Sequence, residues 1–173
     1  DLQSELELPR VQPHKNLVLA HLENNVVGYG IVEPEKNIGR AIVGLTSIST
    51  DFVTLIKLLN WATKRASQEA PTAHIATLDH ESHVETIVKE HNWKHVRKYL
   101  RMKSTLRFFK LKSTMSPDFM MRTMLGLDEI PELTHLQNEA FNTHFGYSPN
   151  TEDEIKARLL SPGHGIDNVL MIH

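Results

Sequence analysis

The sequence predicts a mixed α/β fold, a mostly antiparallel sheet flanked by helices, arranged as two incomplete tandem modules. Three observations carry this. Three short β-prone runs follow one another through tight turns early in the chain, the pattern of hairpin-connected strands. A helix-period apolar pattern comes directly after them. Residues 6–21 also recur without a gap at the far end. Leu8, Asn16, Leu17, Val18, Leu19 and His21 stand opposite Leu160, Asn168, Val169, Leu170, Met171 and His173, every pair 152 residues apart. A shared step of that length is about the size of one domain.

The elements follow in order. Leu17 to Leu22 and Val26 to Val32 form an antiparallel pair joined by Glu23-Asn24-Asn25, since Asn tolerates the positive φ of a tight hairpin. A turn from Glu33 to Gly39, broken by Pro34 and Gly39, leads to a strand from Arg40 to Ile48. Phe52, Leu55, Ile56, Leu59, Ala62 and Ala66 then share one helical face, with Thr50 or Asp51 placed to cap. Ala73 to Leu78 is a strand, and Ser82 to Glu90 a short helix with Val84, Ile87 and Val88 on one side. After an Asn92-Trp93 break, Val96 to Leu106 is expected as one long strand or a bent pair. Beyond Ser116-Pro117-Asp118 come a strand from Phe119 to Met124 and a helix capped by Asp128, with Ile130, Leu133, Leu136, Ala140 and Phe141 on its core face. Thr151 and Glu154 spell a capping box for a helix from Glu152 to Leu160, and Asn168 to Ile172 is the last strand. Trp61 and Trp93 are expected in the core.

Composition narrows the function classes. There is no cysteine among the 173 residues, so thiolate and disulfide chemistry are out, which fits a reducing, cytoplasmic setting. No apolar run approaches the roughly 20 residues that span a bilayer, so no membrane partner is expected. The net charge of −2 argues against a general nucleic-acid binder. Its distribution is uneven, because Lys94 to Lys112 holds eight of the 19 basic residues and none of the 21 acidic ones. Solvated edge-strand charge accounts for such a stripe more readily than nucleic acid does. The chain opens on Asp1 inside a helical pattern and stops directly after a strand, which suggests a section of a longer protein.

Histidines at 80, 83, 91 and 95 raise a metal site. His80-Glu81-Ser82-His83 lacks the i, i+4 spacing that sets two imidazoles on one helical face, and the Asn92-Trp93 break separates His91 from His95. No metal is expected.

Read cyclically from residue 119, one period runs strand, helix, helix, three strands, helix, strand, helix, strand. This order resembles the GCN5-related N-acetyltransferase superfamily. Val26-Val27-Gly28-Tyr29-Gly30 looks like its second-to-third strand hairpin, and Asn92-Trp93 like its Gly-Phe break. Arg122, Asp128, Asn138-Glu139-Ala140-Phe141, His144-Phe145-Gly146-Tyr147 and Pro149 resemble the opening of its tandem members, such as mycothiol synthase. The resemblance implies a first module over residues 1–107 lacking its initial strand and helix, a linker at 108–118, and the N-terminal part of a second module at 119–173, with contact between the modules.

It further implies acetyl-CoA as co-substrate and a small-molecule amine acceptor. In the family, the thioester arm bonds to strand backbone where two strands splay, and its pyrophosphate sits on a Gly-containing loop at a helix N-terminus. The matching loop here holds Ile48, Ser49 and Thr50, the cofactor-binding candidates. It departs from the pattern: Ser49-Thr50-Asp51-Phe52-Val53-Thr54 has no Gly and no Arg, and Asp51 would repel phosphate. Val88 occupies the place of the family's tyrosine acid. The first module is therefore expected to be degenerate and catalysis to belong to the second, with catalytic residues unassigned. His144 and Tyr147, on a loop that overhangs the acceptor site in the family, are the substrate-binding candidates. A non-catalytic module that keeps the fold to bind a partner is the competing expectation.

Overall fold

The computed structural model describes residues 6, 9–48, 52–78, 82–103, 105 and 118–172. A single helical turn, α1 (Pro13–Asn16), with proline in its first turn, feeds β1 (Leu17–Leu22). β1 turns through Glu23-Asn24 into β2 (Asn25–Glu35), and β2 through a 3-10 turn and Gly39 into β3 (Arg40–Ser47). Gly39 sits at φ 62°, a left-handed conformation that glycine adopts without steric cost. α2 (Phe52–Ser67) then carries the chain across the sheet to β4 (Thr72–Ile75), and α3 (Ser82–Glu90) follows. The sheet order is β1-β2-β3-β4, with the first two pairings antiparallel and β3–β4 parallel. This is the mixed α/β, mostly antiparallel architecture that the sequence predicts.

α2 covers one face of the sheet. Leu55, Leu58, Leu59, Ala62 and Ala66 recur at helical spacing and are buried, Leu59 completely. Val32, Ala41 and Val43 meet Ala62 and Ala66, while Leu55 and Leu59 meet Ile87 and Val88 of α3. Glycines in β2 let the helix approach: a Cβ on Gly30 would stand 3.4 Å from the Trp61 ring, and one on Gly28 3.3 Å from Leu58 Cδ1. Strand side chains alternate between faces. The opposite face therefore presents Ile31, Glu33, Glu35, Arg40, Ile42 and His74.

A second, two-stranded antiparallel sheet joins β5 (Met121–Thr123) to β6 (Leu170–Ile172), with Arg122 opposite Met171. Between them lie α4 (Ile130–Phe141) and α5 (Glu152–Leu160), and Met124, Ile130, Leu133, Ile155 and Met171 form their shared core. Glu129 joins strand to helix. It takes Arg122 in a two-pronged ion pair at 2.6 and 3.1 Å and accepts from the Leu125 amide at 2.8 Å. The capping box forms as expected, with Glu154 N donating to Thr151 Oγ1 at 3.2 Å and Thr151 N to the Glu154 carboxylate at 2.9 Å.

Several expectations are corrected. Residues 94–103 form no strand; they have no regular structure, and Val96, Tyr99, Leu100 and Met102 are exposed, Met102 by 92%. Alternation alone makes no strand, because pairing is decided by packing against the rest of the molecule. β2 runs straight through Pro34, because in the β2–β3 ladder Pro34 faces Ala41 at a position that requires no amide donor toward β3. In the hairpin Glu23, at φ 54°, takes the left-handed conformation in place of an asparagine. β4 ends at Ile75, short of the expected Leu78. Asp128 lies in a 3-10 turn and does not cap α4. Phe52, Leu136, Ala140 and Phe141 are exposed, and Trp61 and Trp93 only border the core. Ser49, Thr50, Asp51, His80, Glu81, His173 and most of the proposed linker lie outside the described residues.

Candidate functional site

Two regions of the sheet bear on function. The first is the C-terminal end of β3. The parallel ladder between β3 and β4 runs from Arg40↔Thr72 to Val43↔Ile75, whereas the β2–β3 ladder continues to Gly28↔Ser47. The ladder to β4 thus stops while β3 goes on, and the wedge of unladdered β3 edge beyond it is Gly44, Leu45 and Thr46. The wedge points toward the start of α2. Ile48, the one described member of the predicted cofactor loop, donates its amide to the Val27 carbonyl at 2.9 Å. Its side chain is 80% exposed, and Phe52, Val53 and Leu78 at the same end are also exposed. Apolar groups rim this opening. Val88, which the sequence resemblance set in the place of an acid, is buried against Leu55, Leu59 and Ile87 and has no proton to give.

The second region is where the α4–α5 loop meets the far face of the sheet, at the N-terminal end of β3. Arg40 is 8% exposed and pairs with the Glu35 carboxylate; its Nη1 lies 3.5 Å from His74 Nδ1. Gly146, at φ 68°, lies so close to Arg40 Nη1 that a Cβ would strike it. Phe145 stacks over His74 with ring centroids 6.1 Å apart and planes at 11°, and the Arg97 guanidinium lies 5.3 Å from the Phe145 centroid. Burial, and then the neighbouring Arg40 charge, hold the His74 imidazole below its usual proton affinity, with Glu35 opposing them. Nearby, Arg10 Nε donates to Glu33 at 3.1 Å, and its Nη1 lies 3.8 Å from Glu154.

The substrate-binding candidates fall in that same loop. Tyr147 OH donates to Asn138 Oδ1 at 2.6 Å and accepts from Asn150 Nδ2 at 3.0 Å, so its hydroxyl pins the loop to α4. His144 is exposed and meets Phe141 edge-on at 4.8 Å, while Tyr147 stacks with that ring at 5.7 Å with planes at 30°. The structure brings His144 and Tyr147 together around Phe141 and sets Ile48 at the other end of the four-stranded sheet. Arg40 and His74 were not singled out from sequence. Their signal needed the parallel β3–β4 register, which alone places Arg40, Ile42 and His74 on one face.

His91 Nδ1 donates to the Ile87 carbonyl at 2.8 Å, and Asn92, at φ 65°, turns the chain away from α3. Among the described residues no three His, Asp or Glu side chains are placed to hold a metal ion. Among them, too, no helix is long and apolar enough to cross a membrane.

No protein-family model matches this sequence, and no curated protein matches it. Among solved structures, that of a probable acetyltransferase is similar over 56% of this chain and 71% of its own, at 13% identity and a TM-score of 0.39.

Proposed function

We propose that this chain belongs to a tandem acetyl-CoA-dependent N-acetyltransferase acting on a small-molecule amine, in which the first module keeps the fold but has lost its chemistry. One observation carries the reading: the β3–β4 ladder stops at Val43↔Ile75 while β3 continues to Ser47. An extended thioester arm would find β3 backbone in that wedge. When bound, acetyl-CoA supplies the activated acetyl group. Gly44 to Ile48 would line its path, and the exposed side chains of Ile48 and Phe52 would cover the apolar stretch. Nothing at Val88 can return a proton to the departing thiolate, and the predicted loop of Ile48, Ser49 and Thr50 brings no glycine.

A non-catalytic module is the second reading, favoured by the same Val88. Backbone amide NMR separates the two. Millimolar pantetheine is expected to shift the amides of Gly44 to Ile48, while acetyl-CoA adds little affinity through its phosphates and no acetyl transfer to amines is seen with residues 1–173. If pantetheine leaves those amides unmoved, the wedge is no acyl-carrier site and the non-catalytic reading stands. If acetyl-CoA binds at micromolar concentration and loses that affinity on substitution of Ser49 and Thr50, the module still holds phosphate and is not degenerate.

A further inference from the structure

At the end of the sheet away from the wedge, a polar cavity of about 390 Å³ lies among the Arg10–Asn16 segment, the β2–β3 turn, the end of α2 and residues 148–154. Its volume falls in the range of about 300–1,000 Å³ typical of small-molecule sites. The β3 strand separates it from Ile48 by eight residues, about 25 Å at the rise of a strand. It therefore owes nothing to the proposed acyl-carrier wedge.

The walls hold both signs of charge, but their commitments differ. Each carboxylate is engaged: Glu35 by Arg40, Glu69 by Arg65, and Glu154 by the Thr151 amide with Arg10 behind it. Asn16, only 1% exposed, gives its amide oxygen to Arg65 Nε at 2.9 Å. Donors are left over. Lys15 and Lys36 both line the cavity, and neither ammonium group forms an ion pair among the described residues. A site whose three carboxylates are all engaged and whose uncommitted charges are two ammonium ions and part of a guanidinium is complementary to a compact anion with several oxygens. Ammonium groups act as point charges that suit phosphate from many directions, and the guanidinium adds planar donors.

We propose that this cavity binds a small phosphate-bearing molecule, gripped by Lys15 and Lys36 with Arg10 behind them. The test titrates inorganic pyrophosphate into the chain by calorimetry at low salt and compares it with inorganic phosphate. Pyrophosphate is expected to bind with a Kd below about 1 mM and more tightly than phosphate. The double variant Lys15→Gln/Lys36→Gln should weaken it at least tenfold, because each charge-assisted hydrogen bond lost is worth about tenfold or more. Both lysines are exposed, so the variant should melt within about a degree or two of the parent, as surface changes usually do. A control, Lys94→Gln/Lys98→Gln, removes the same charge elsewhere and should leave the affinity unchanged. Equal loss in both variants would reduce the effect to general charge attraction and overturn the proposal, as would no heat with the parent chain.

Discussion

Asn16 and Asn168 stand 152 residues apart in two stretches of similar sequence, the first in a short helical turn directly before β1 and the second in one that ends a residue before β6, yet one is buried and the other exposed. The difference comes from what lies over them. α2 crosses above β1 and sends Arg65 from its last turn onto Asn16 Oδ1, and Arg65 in turn is held by Gln68 and Glu69. β6 pairs only with β5, Leu170 and Ile172 stay exposed, and no side-chain hydrogen bond reaches Asn168 among the described residues. Local sequence sets the strand and its turn; burial is conferred by elements distant in the chain.

The comparison breaks most readily at the helix that makes it. Leu59→Ala, at a fully buried position between β-sheet and α3, should cost about 2–5 kcal/mol in urea unfolding. Retention of near-parental stability would mean that α2 does not organise this half. Next in size, Asn16→Ala should cost about 1–3 kcal/mol by leaving the Arg65 Nε–H without its acceptor, whereas Asn168→Ala should stay within about 0.5 kcal/mol. Equal costs for the two asparagines would end the distinction drawn between them.

Contact of the α4–α5 loop with the four-stranded sheet is probed by Gly146→Ala. The left-handed φ of 68° and the Arg40 guanidinium both oppose a Cβ, so a loss of about 1–2 kcal/mol is expected, together with faster amide exchange over residues 143–149. Exchange that stays at the parental rate would show that the loop does not depend on this contact. The smallest effect is one of pH. A base whose folded proton affinity is lowered stabilises the fold fully above its unfolded pKa, about 6.5 for histidine, and that contribution is lost as pH falls toward the lower folded value. Burial and Arg40 lower His74 in this way. Melting temperature should therefore fall between pH 7.5 and 5.5 by more in the parent than in His74→Gln, a comparison that removes the other ten histidines. Equal drops would mean that His74 titrates alike folded and unfolded.

Much of the architecture was legible because period and punctuation agree. The strands from Leu17 to Ser47, the helix Phe52–Ser67 and the Thr151–Glu154 box each combine a local pattern with its own stop signal. Residues 94–103 show where that logic fails: alternation of apolar and basic residues describes a strand only when the fold brings it onto an edge and packs it there. Phe141 and Leu136 fail for a related reason, since helical spacing predicts a face but not what covers it. Of the site, Tyr147 was legible as a loop residue, but its partner Asn138 and the Phe145–His74 stack depend on a long-range meeting that no single-segment pattern encodes.

Pro34 has a consequence for association between molecules. In β2 the residues whose backbone faces β3 include Val27, which accepts from Ile48, so by alternation Pro34 turns its nitrogen to the other side, where β1 has not yet begun. A sheet margin normally offers a row of amide donors to any extended chain that drifts past. Here the margin is interrupted just past the end of the β1 ladder, where Pro34 borders the polar cavity with Lys15 and Asn16. The proline thus leaves the internal ladder intact while denying a foreign strand its foothold. Replacing it with valine would be silent in the fold and would surface as a greater tendency to aggregate at high protein concentration.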